Sequence, residues 1–374
     1  GAEPSLLWDL TGGDGDTGAS PTSASASASA SASIPASAYI GHILSRAEAG
    51  RLPNGQWVVV VGNGINSSID RAALLVIDVA SGAVSAIPVG PSAKVLEAVR
   101  AALDELTRYP DGNGFTLKAA LASRYGVDAA QVTLGNGSND ILDLVARAYL
   151  APGLNAVFSQ YAFAVYPIST QAVGAQGKVV PAKDHGHDLE AMLAAIDENT
   201  RVVFIANPNN PTGTWFGPDA LERFLARVPG NVLVVLDEAY IEFAEGDELP
   251  DGLKYLARYD NLLVSRTFSK AYGLAALRVG YALSSAQIAD VLNRVRQPFN
   301  VNSLALAAAC AALDDADYLA QSRQLNDAGM AQLEAGLCEL GLSWIPSKGN
   351  FIAVDFGRDT AAINQALLRA GVIV

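Results

Sequence analysis

The sequence has little cysteine and no long apolar run. Cys310 and Cys338 are the only two cysteines, and both stand in apolar, helix-like segments without a partner motif. This scarcity argues against a disulfide framework or a cysteine zinc site, and we expect two buried free thiols. The longest apolar run, residues 304–313, falls short of the roughly 18 residues that a membrane span requires.

Basic residues are also scarce. The chain has 25 Lys and Arg against 38 Asp and Glu, which gives a net charge of -13 and a pI near 4.6. This balance argues against nucleic acid as a partner, because phosphate backbones need clustered positive charge. A local basic pocket for one small phosphate ester remains possible. Since the amino terminus lacks both an initiating Met and a signal-peptide pattern, we expect a soluble cytoplasmic protein without a membrane partner.

The composition changes along the chain. Residues 1–49 include a Gly- and Asp-rich stretch and a Ser-Ala alternation, which predicts a disordered linker. Residues 50–88 carry short valine- and leucine-rich runs between turn residues, which predicts antiparallel strands. This second segment weakly resembles one β-propeller blade of type IV pilus-tip biogenesis proteins, and the resemblance implies a binding segment.

Beyond residue 89 the pattern becomes α/β. Leu96, Val99, Leu103 and Leu106 recur at helical spacing and predict an amphipathic helix. Later apolar runs predict strands of a mostly parallel sheet that is covered on both faces. These runs are residues 201–205, 231–236 and 261–264. We therefore expect a large domain over residues 89–295 and a smaller α+β domain over residues 296–374.

Polar groups follow each of the three predicted strands. In open parallel sheets ligands bind beyond the carboxyl ends of the strands, so we expect these groups to meet. An amine, an acid, a phenol, an amide, hydroxyls and a guanidinium together suit pyridoxal phosphate: they bond the aldehyde, the ring nitrogen, the ring hydroxyl and the phosphate. The residues are Asn210, Asp237, Tyr240, Thr267, Ser269, Lys270 and Arg278.

Further motifs surround this set in a fixed order. They are RYPDG at 108–112, GNGS at 135–138, FAVYP at 163–167, RQPFNVN at 296–302 and GNF at 349–351. Together with the polar residues that follow the three predicted strands, these motifs resemble those of the fold-type-I aminotransferases of class I/II, and among these the histidinol-phosphate aminotransferases. The resemblance covers about residues 90–374. It implies a large, mostly parallel sheet domain beside a small α+β domain, with pyridoxal 5'-phosphate as the cofactor.

The resemblance also implies a reaction. An amino group would pass between L-histidinol phosphate plus 2-oxoglutarate and imidazole-acetol phosphate plus L-glutamate, in histidine biosynthesis. Lys270 would carry the cofactor as a Schiff base and act as the acid and base. Asp237 would pair with the pyridinium nitrogen, Tyr240 and Asn210 would bond the ring oxygen, and Phe163 would stack on the ring.

The phosphate of the cofactor would lie at the start of a helix. Backbone amides there favour an anion, and hydroxyls and a guanidinium would complete the cup. In the family a tyrosine reaches the phosphate in the neighbouring subunit, which implies a homodimer. The residues for the cup are Ser138, Asn139, Thr267, Ser269 and Arg278, and the reaching residue is Tyr109.

One apparent metal cluster is discounted. His185 and His187 stand between Asp184 and Asp188, but no third ligand motif accompanies them. Asp188 is a suitable N-cap for the helical run that follows. We therefore predict no metal.

The family pattern departs at both ends. Residues 85–92 replace the usual Asn-Glu-Asn-Pro-Leu-Gly stretch, and the chain ends at Val374 before the arginines that bind substrate in the family. Such a loss predicts weaker substrate binding. Two alternatives to the leading function stay open: another class I/II enzyme, either an aromatic aminotransferase or a decarboxylase, and a truncated inactive fusion with an amino-terminal binding segment.

Overall fold

The computed structural model describes residues 48–51, 57–62, 73–78, 80, 84–88, 90–244, 246 and 248–369. The predicted linker over residues 1–49 lies outside these residues, except that Glu48 and Ala49 belong to a strand. Contacts divide the chain into two compact units, Gly1–Pro91 and Ser92–Val374. None of the described helices is both long enough and apolar enough to cross a membrane.

Thirteen strands are assigned within the described residues. They are β1 (Glu48–Arg51), β2 (Trp57–Gly62), β3 (Ala73–Asp78), β4 (Val84–Pro88), β5 (Val132–Gly135), β6 (Asn155–Ser159), β7 (Gln176–Val180), β8 (Thr200–Ala206), β9 (Leu233–Asp237), β10 (Leu262–Thr267), β11 (Gly280–Ser284), β12 (Ser343–Ile345) and β13 (Ala353–Asp355).

Ten α-helices accompany these strands in the same part of the chain. They are α1 (Ala93–Ala102), α2 (Phe115–Tyr125), α3 (Ser138–Tyr149), α4 (Val165–Ala172), α5 (Leu189–Ala194), α6 (Pro218–Leu225), α7 (Ala286–Val295), α8 (Ser303–Leu313), α9 (Ala316–Glu339) and α10 (Ala361–Arg369).

The first unit contains a four-stranded antiparallel sheet in the order β1-β2-β3-β4. Each strand pairs with the next one along the chain, with Val60 opposite Glu48 on one side and Val76 on the other. The sequence predicted β2 and β3 but not the outer pair. The resemblance to a propeller blade stays a prediction.

The second unit is built on a seven-stranded sheet in the order β5-β11-β10-β9-β8-β6-β7. The pairs along β7-β6-β8-β9-β10 are parallel, and β11 is antiparallel to both of its neighbours. A separate two-stranded sheet pairs β12 with β13. The predicted α/β class, with a mostly parallel sheet, is confirmed.

Both faces of the large sheet are buried except at the edge strand β7, where Val179 is 59% exposed. Successive residues of a strand point to opposite faces, so Val203 and Val234 join one apolar cluster while Phe204 and Val235 join the other. Helices α2, α6 and α8 contribute to the first cluster, and α3 and α7 contribute to the second. The sequences of the central strands are therefore continuous apolar runs, and polar side chains follow at their carboxyl ends.

Some predicted elements need correction. The helix over Leu96 to Leu106 ends at Ala102 and continues only as a 3-10 turn, Leu103–Glu105. Leu103 and Leu106 are 46% and 59% exposed, because they follow the regular helix instead of lying on its packed face.

Two smaller expectations also differ from the structure. The strand expected at 350–354 is only β13, three residues long. Both cysteines are free, but Cys310 is only partly buried, and Cys338, within α9, is exposed.

A buried ion pair lies directly behind the strand ends. Arg266 donates from Nε and Nη2 to Glu238 Oε2, at 2.9 and 2.7 Å, and also from Nη2 to Asp251 at 2.7 Å. Glu238 Oε1 accepts from the Gly252 amide at 2.7 Å. Burial raises the pKa of Glu238, while Arg266 opposes that shift. The pair fixes the segments that carry Asp237 and Lys270.

Arg266→Met should destabilise the fold by about 3–5 kcal/mol, because it leaves a fully buried carboxylate without its cation. Urea unfolding of the two proteins measures this change. Arg258→Met is the matched control, since Arg258 pairs with Glu222 at the surface and its removal should change stability far less. Equal losses in the two variants would contradict a special role for the buried pair.

Candidate active site

The polar groups at the strand ends surround one cavity of about 170 Å³. It contains every predicted cofactor residue except Tyr109, together with three residues that the sequence did not single out: Ala206, Pro208 and Ala239. The lining residues are Ser138, Asn139, Phe163, Ala206, Pro208, Asn210, Asp237, Ala239, Tyr240, Thr267, Ser269, Lys270 and Arg278. Residues up to 140 positions apart in the chain therefore meet at the carboxyl edge of the sheet, which is where ligands bind in open parallel sheets.

Lys270 lies in a tight turn after β10. The Gly273 amide donates to the Lys270 carbonyl at 2.9 Å, and the Ser269 amide donates to Thr267 Oγ1 at 3.1 Å. These bonds fix the backbone on both sides of the lysine. Its Nζ lies 5.1 Å from the centroid of the Tyr240 ring. The only lysine amine in the cavity lining thus stands over an aromatic face.

A phenol and an amide form a second feature of the cavity. Asn210 Nδ2 donates to Tyr240 Oη at 2.8 Å, which joins the turn after β8 to the turn after β9. The Tyr240 ring is buried and meets Phe351 edge-on, with ring centroids 5.2 Å apart. Both polar groups are therefore held at one place on the cavity wall.

Asp237 is the last residue of β9 and is 5% exposed. Its Oδ2 accepts a 2.9 Å hydrogen bond from Tyr166 Oη, while its Oδ1 is buried and has no partner. Burial raises the pKa of Asp237 to about 6; the Tyr166 bond and the charge of Lys270 lower it, and Glu238 raises it. A buried carboxylate oxygen without a partner is costly, so it marks a place where a ligand could donate.

Sequence reasoning missed the part that Tyr166 plays here. Tyr166 belongs to the FAVYP motif; it lies in α4, three residues after Phe163, and is fully buried. Its ring stacks on Phe204 of β8, with centroids 4.9 Å apart and planes 7° from parallel. The available signal was that a buried tyrosine hydroxyl needs a hydrogen-bond partner.

The start of α3 forms the cationic end of the cavity. Gly137, the N-cap, has a φ of +80°, and a Cβ placed on it would lie 2.3 Å from Arg278 Nη2. Only glycine allows the guanidinium to approach the helix start this closely. Arg278 Nη1 donates to Ser269 Oγ at 3.2 Å and to the Ala275 carbonyl at 3.0 Å. The first amides of α3, at Ser138 and Asn139, therefore begin beside a fixed guanidinium, which is an arrangement that binds anions.

Asp140 holds this helix start in place and was also missed. Its Oδ2 accepts from the Asn136 amide at 2.8 Å and from Asn300 Nδ2 at 2.7 Å. Asn300 Nδ2 also donates to the Leu134 carbonyl at 3.0 Å. The FNVN motif at 299–302 thus braces the GNGS loop, a contact between positions about 160 residues apart that no local pattern indicates.

Tyr109 lies outside the cavity formed by this chain. It is 83% exposed, and its ring stacks on Phe299 with centroids 4.9 Å apart. Its predicted contact with a neighbouring subunit stays a prediction.

A larger cavity, of about 560 Å³, contains none of the predicted cofactor residues. Its lining includes Trp215, Trp344, His185 and His187. His187 Nε2 lies 3.0 Å from the Ala206 carbonyl, and burial lowers the pKa of His187 to about 4. Asp188 caps α5 by accepting from the Ala191 amide at 3.0 Å. Size alone does not identify the reactive site, because the amine, carboxylate and guanidinium converge in the smaller cavity.

The family model described as aminotransferase class I and II matches residues 76–374. The chain therefore belongs to the class I and II aminotransferases. The match begins within β3, earlier than the residue 90 at which the motifs placed the start of the resemblance.

Named relatives are close. The chain is 82% identical over 287 residues to histidinol-phosphate aminotransferase 2 of Pseudomonas aeruginosa, a match that covers 77% of this chain and 78% of that protein. It is 65% identical over 291 residues to histidinol-phosphate aminotransferase of Stutzerimonas stutzeri, covering 77% and 78%. The crystal structure of histidinol-phosphate aminotransferase from Sinorhizobium meliloti with pyridoxal-5'-phosphate superposes with a TM-score of 0.73 at 35% identity, over 76% of this chain and 78% of that one.

Proposed function

We propose that this chain is a pyridoxal phosphate-dependent aminotransferase that uses L-histidinol phosphate and 2-oxoglutarate and forms imidazole-acetol phosphate and L-glutamate. The observation that carries the proposal is the convergence, in one cavity, of the Lys270 amine, the unpartnered Asp237 oxygen and the cationic start of α3. The names of relatives that are up to 82% identical support the choice of substrates.

The cavity fits the cofactor at both of its charged ends. Asp237 Oδ1 is a buried acceptor without a partner, which suits the protonated nitrogen of a pyridine ring. At the start of α3, Gly137 leaves room for Arg278 beside the first amides of the helix, which suits a phosphate. The same cavity thus offers an acceptor for the ring nitrogen and an anion cup for the phosphate.

Each residue can then be given a role in holding the group. The α3 amides, with Thr267, Ser269 and Arg278, hold the phosphate by hydrogen bonds that its charge strengthens. Asp237 holds the ring nitrogen in its protonated form, and the linked pair of Asn210 and Tyr240 bonds the ring oxygen. Phe163 packs against the ring, and Lys270 anchors the cofactor at its aldehyde. The residues are Ser138, Asn139, Phe163, Asn210, Asp237, Tyr240, Thr267, Ser269, Lys270 and Arg278.

When bound, the cofactor supplies an electron sink that stabilises negative charge at the carbon next to the substrate nitrogen. The residues of the chain supply the proton transfers and the orientation. Lys270 Nζ is the only lysine amine in the cavity lining, so it is the group that takes and returns the proton. The Tyr240 ring beneath it limits the positions that Nζ can adopt.

The proposal includes a homodimer in the cytoplasm. Tyr109 is exposed, stacks on Phe299 and is outside the cavity lining of its own subunit, so it is available to reach the phosphate of a neighbouring one. Leu103, Leu106 and Phe115 are also exposed apolar side chains in the same part of the sequence, and burial of such a surface favours association.

The function is tested by turnover with a panel of donors. The holoenzyme is incubated with 2-oxoglutarate and histidinol phosphate, phenylalanine or phosphothreonine, and both glutamate and carbon dioxide are measured. Glutamate formed chiefly from histidinol phosphate supports the proposal. Preference for phenylalanine would indicate the aromatic aminotransferase, release of carbon dioxide a decarboxylase, and inertness toward all three the inactive fusion.

A further inference from the structure

Asp237 has two oxygens in different surroundings. Oδ2 receives the Tyr166 hydroxyl at 2.9 Å, and Oδ1 has no partner among the described residues. Since the carboxylate lies at the cavity wall, the oxygen left free is the one available to a ligand. The hydrogen bond from Tyr166 therefore selects which oxygen the cavity presents.

The tyrosine is held so that it can make this contact. Its ring is fully buried and stacks on Phe204, while Phe163 meets it edge-on with centroids 5.9 Å apart and planes 83° from parallel. Thr170 Oγ1 donates to the Tyr166 carbonyl at 2.7 Å and anchors the same turn of α4. With the ring fixed on both sides, the hydroxyl has little freedom to point elsewhere.

We propose that Tyr166 is a positioning residue for the cofactor, which occupies one oxygen of Asp237 and thereby orients the other toward the ring nitrogen. The inference rests on the proposed function, because the ring nitrogen belongs to pyridoxal phosphate. Tyr166 itself does not line the cavity and acts only through Asp237.

The same hydrogen bond has an electrostatic consequence. Asp237 is buried, which raises its pKa to about 6; donation by Tyr166 and the charge of Lys270 lower this pKa, and Glu238 raises it. Tyr240 also lies close enough to act on Tyr166. Burial raises the pKa of Tyr166 well above its usual range, so the phenol stays protonated and remains a donor. Removing this donor should keep Asp237 protonated to higher pH.

The consequence is measurable as cofactor affinity. The dissociation constant of pyridoxal phosphate from the apo-protein is determined by absorbance titration at a series of pH values. For Tyr166→Phe we expect affinity to be about tenfold weaker at neutral pH. We also expect the pH below which affinity falls to move upward, because a protonated Asp237 is a poor acceptor for the ring N–H. Unchanged affinity and an unchanged pH profile would overturn the proposal.

Tyr281→Phe is the matched control. Tyr281 is equally buried, and its hydroxyl lies 2.6 Å from that of Tyr125, but it is outside the cavity lining. We expect this variant to lose thermal stability without a change in cofactor affinity or pH profile. An equal loss of affinity in Tyr281→Phe would show that the effect of Tyr166→Phe is only structural.

Two further measurements separate the possible failures. In an Asp237→Asn background Tyr166→Phe should weaken binding little further, because the two residues act as one unit. Replacing Tyr166 with 3-fluorotyrosine keeps the shape of the side chain and makes its hydroxyl a stronger donor, so the pH below which cofactor affinity falls should move downward. No shift in that pH, or an upward shift, would overturn the proposal even if the Phe variant misfolds. Failure of the wild-type apo-protein to bind pyridoxal phosphate would instead refute the proposed function.

Discussion

Lys270→Ala is expected to lower the turnover number for glutamate formation by at least about a thousandfold, because the variant loses the group that transfers the proton. The loss should appear in kcat, since the remaining cavity residues still bind the cofactor and the substrate. Steady-state kinetics with histidinol phosphate and 2-oxoglutarate measure it. The composition of the cavity lining gives the physical reason. Lys270 is the only lysine among the described residues that line it, so no second lysine amine there can replace it.

The control for this variant is Lys254→Ala. Lys254 is an exposed lysine in the same unit of the chain, and it lies outside the cavity lining. It should leave kcat unchanged. If Lys270→Ala retained turnover comparable to the control, proton transfer would have to be assigned to another group.

Asp237→Ala is expected to reduce kcat/KM by about a hundred- to a thousandfold, because the ring nitrogen loses the charge that keeps it protonated. Its effect should include weaker retention of the cofactor, because the ring nitrogen also loses its hydrogen-bond acceptor. Dialysis followed by absorbance measures the retained cofactor, and kinetics at saturating pyridoxal phosphate measure the remaining loss.

Asp290→Ala provides the comparison for Asp237. Asp290 pairs with Arg294 on the exposed side of α7, so its removal should change neither quantity. A fall of less than about threefold for Asp237→Ala would be much too small for the loss of an electrostatic partner and would contradict the assigned role.

The strand-end residues could be predicted from the sequence because one local rule places them. Polar residues after apolar runs lie at the carboxyl edge of a parallel sheet, and this rule places Asn210, Asp237 and Lys270 together from the sequence alone. The resemblance to a family then supplied the glycine-rich loop before α3. What the sequence could not supply were the partners that hold these groups in place.

Tyr166 and Asp140 show why. Tyr166 reaches Asp237 across 71 residues, and Asn300 reaches Asp140 across 160. Such bonds depend on how α4 and the segment after α7 pack, and packing leaves no period or spacing in the sequence. Local pattern therefore identifies the groups that face the cavity better than the groups that orient them.

The two adjacent acids at the end of β9 make a related point. Asp237 and Glu238 are neighbours in sequence, yet the first lines the cavity and the second points away to pair with Arg266. Successive residues of an extended strand point to opposite sides, so the acids have different partners. The sequence motif alone assigned a role to Asp237 and left Glu238 without one, and the structure adds a supporting ion pair four residues before Lys270.

Covalent labelling of the lysine is the most direct test that Lys270 binds pyridoxal phosphate. The protein is loaded with pyridoxal phosphate, reduced with borohydride and digested, and the peptides are analysed by mass spectrometry. We expect a phosphopyridoxyl group on Lys270 alone, and its loss in Lys270→Ala. A protein that carries no such group, or carries it on another lysine, would contradict the central claim that this cavity is the cofactor site.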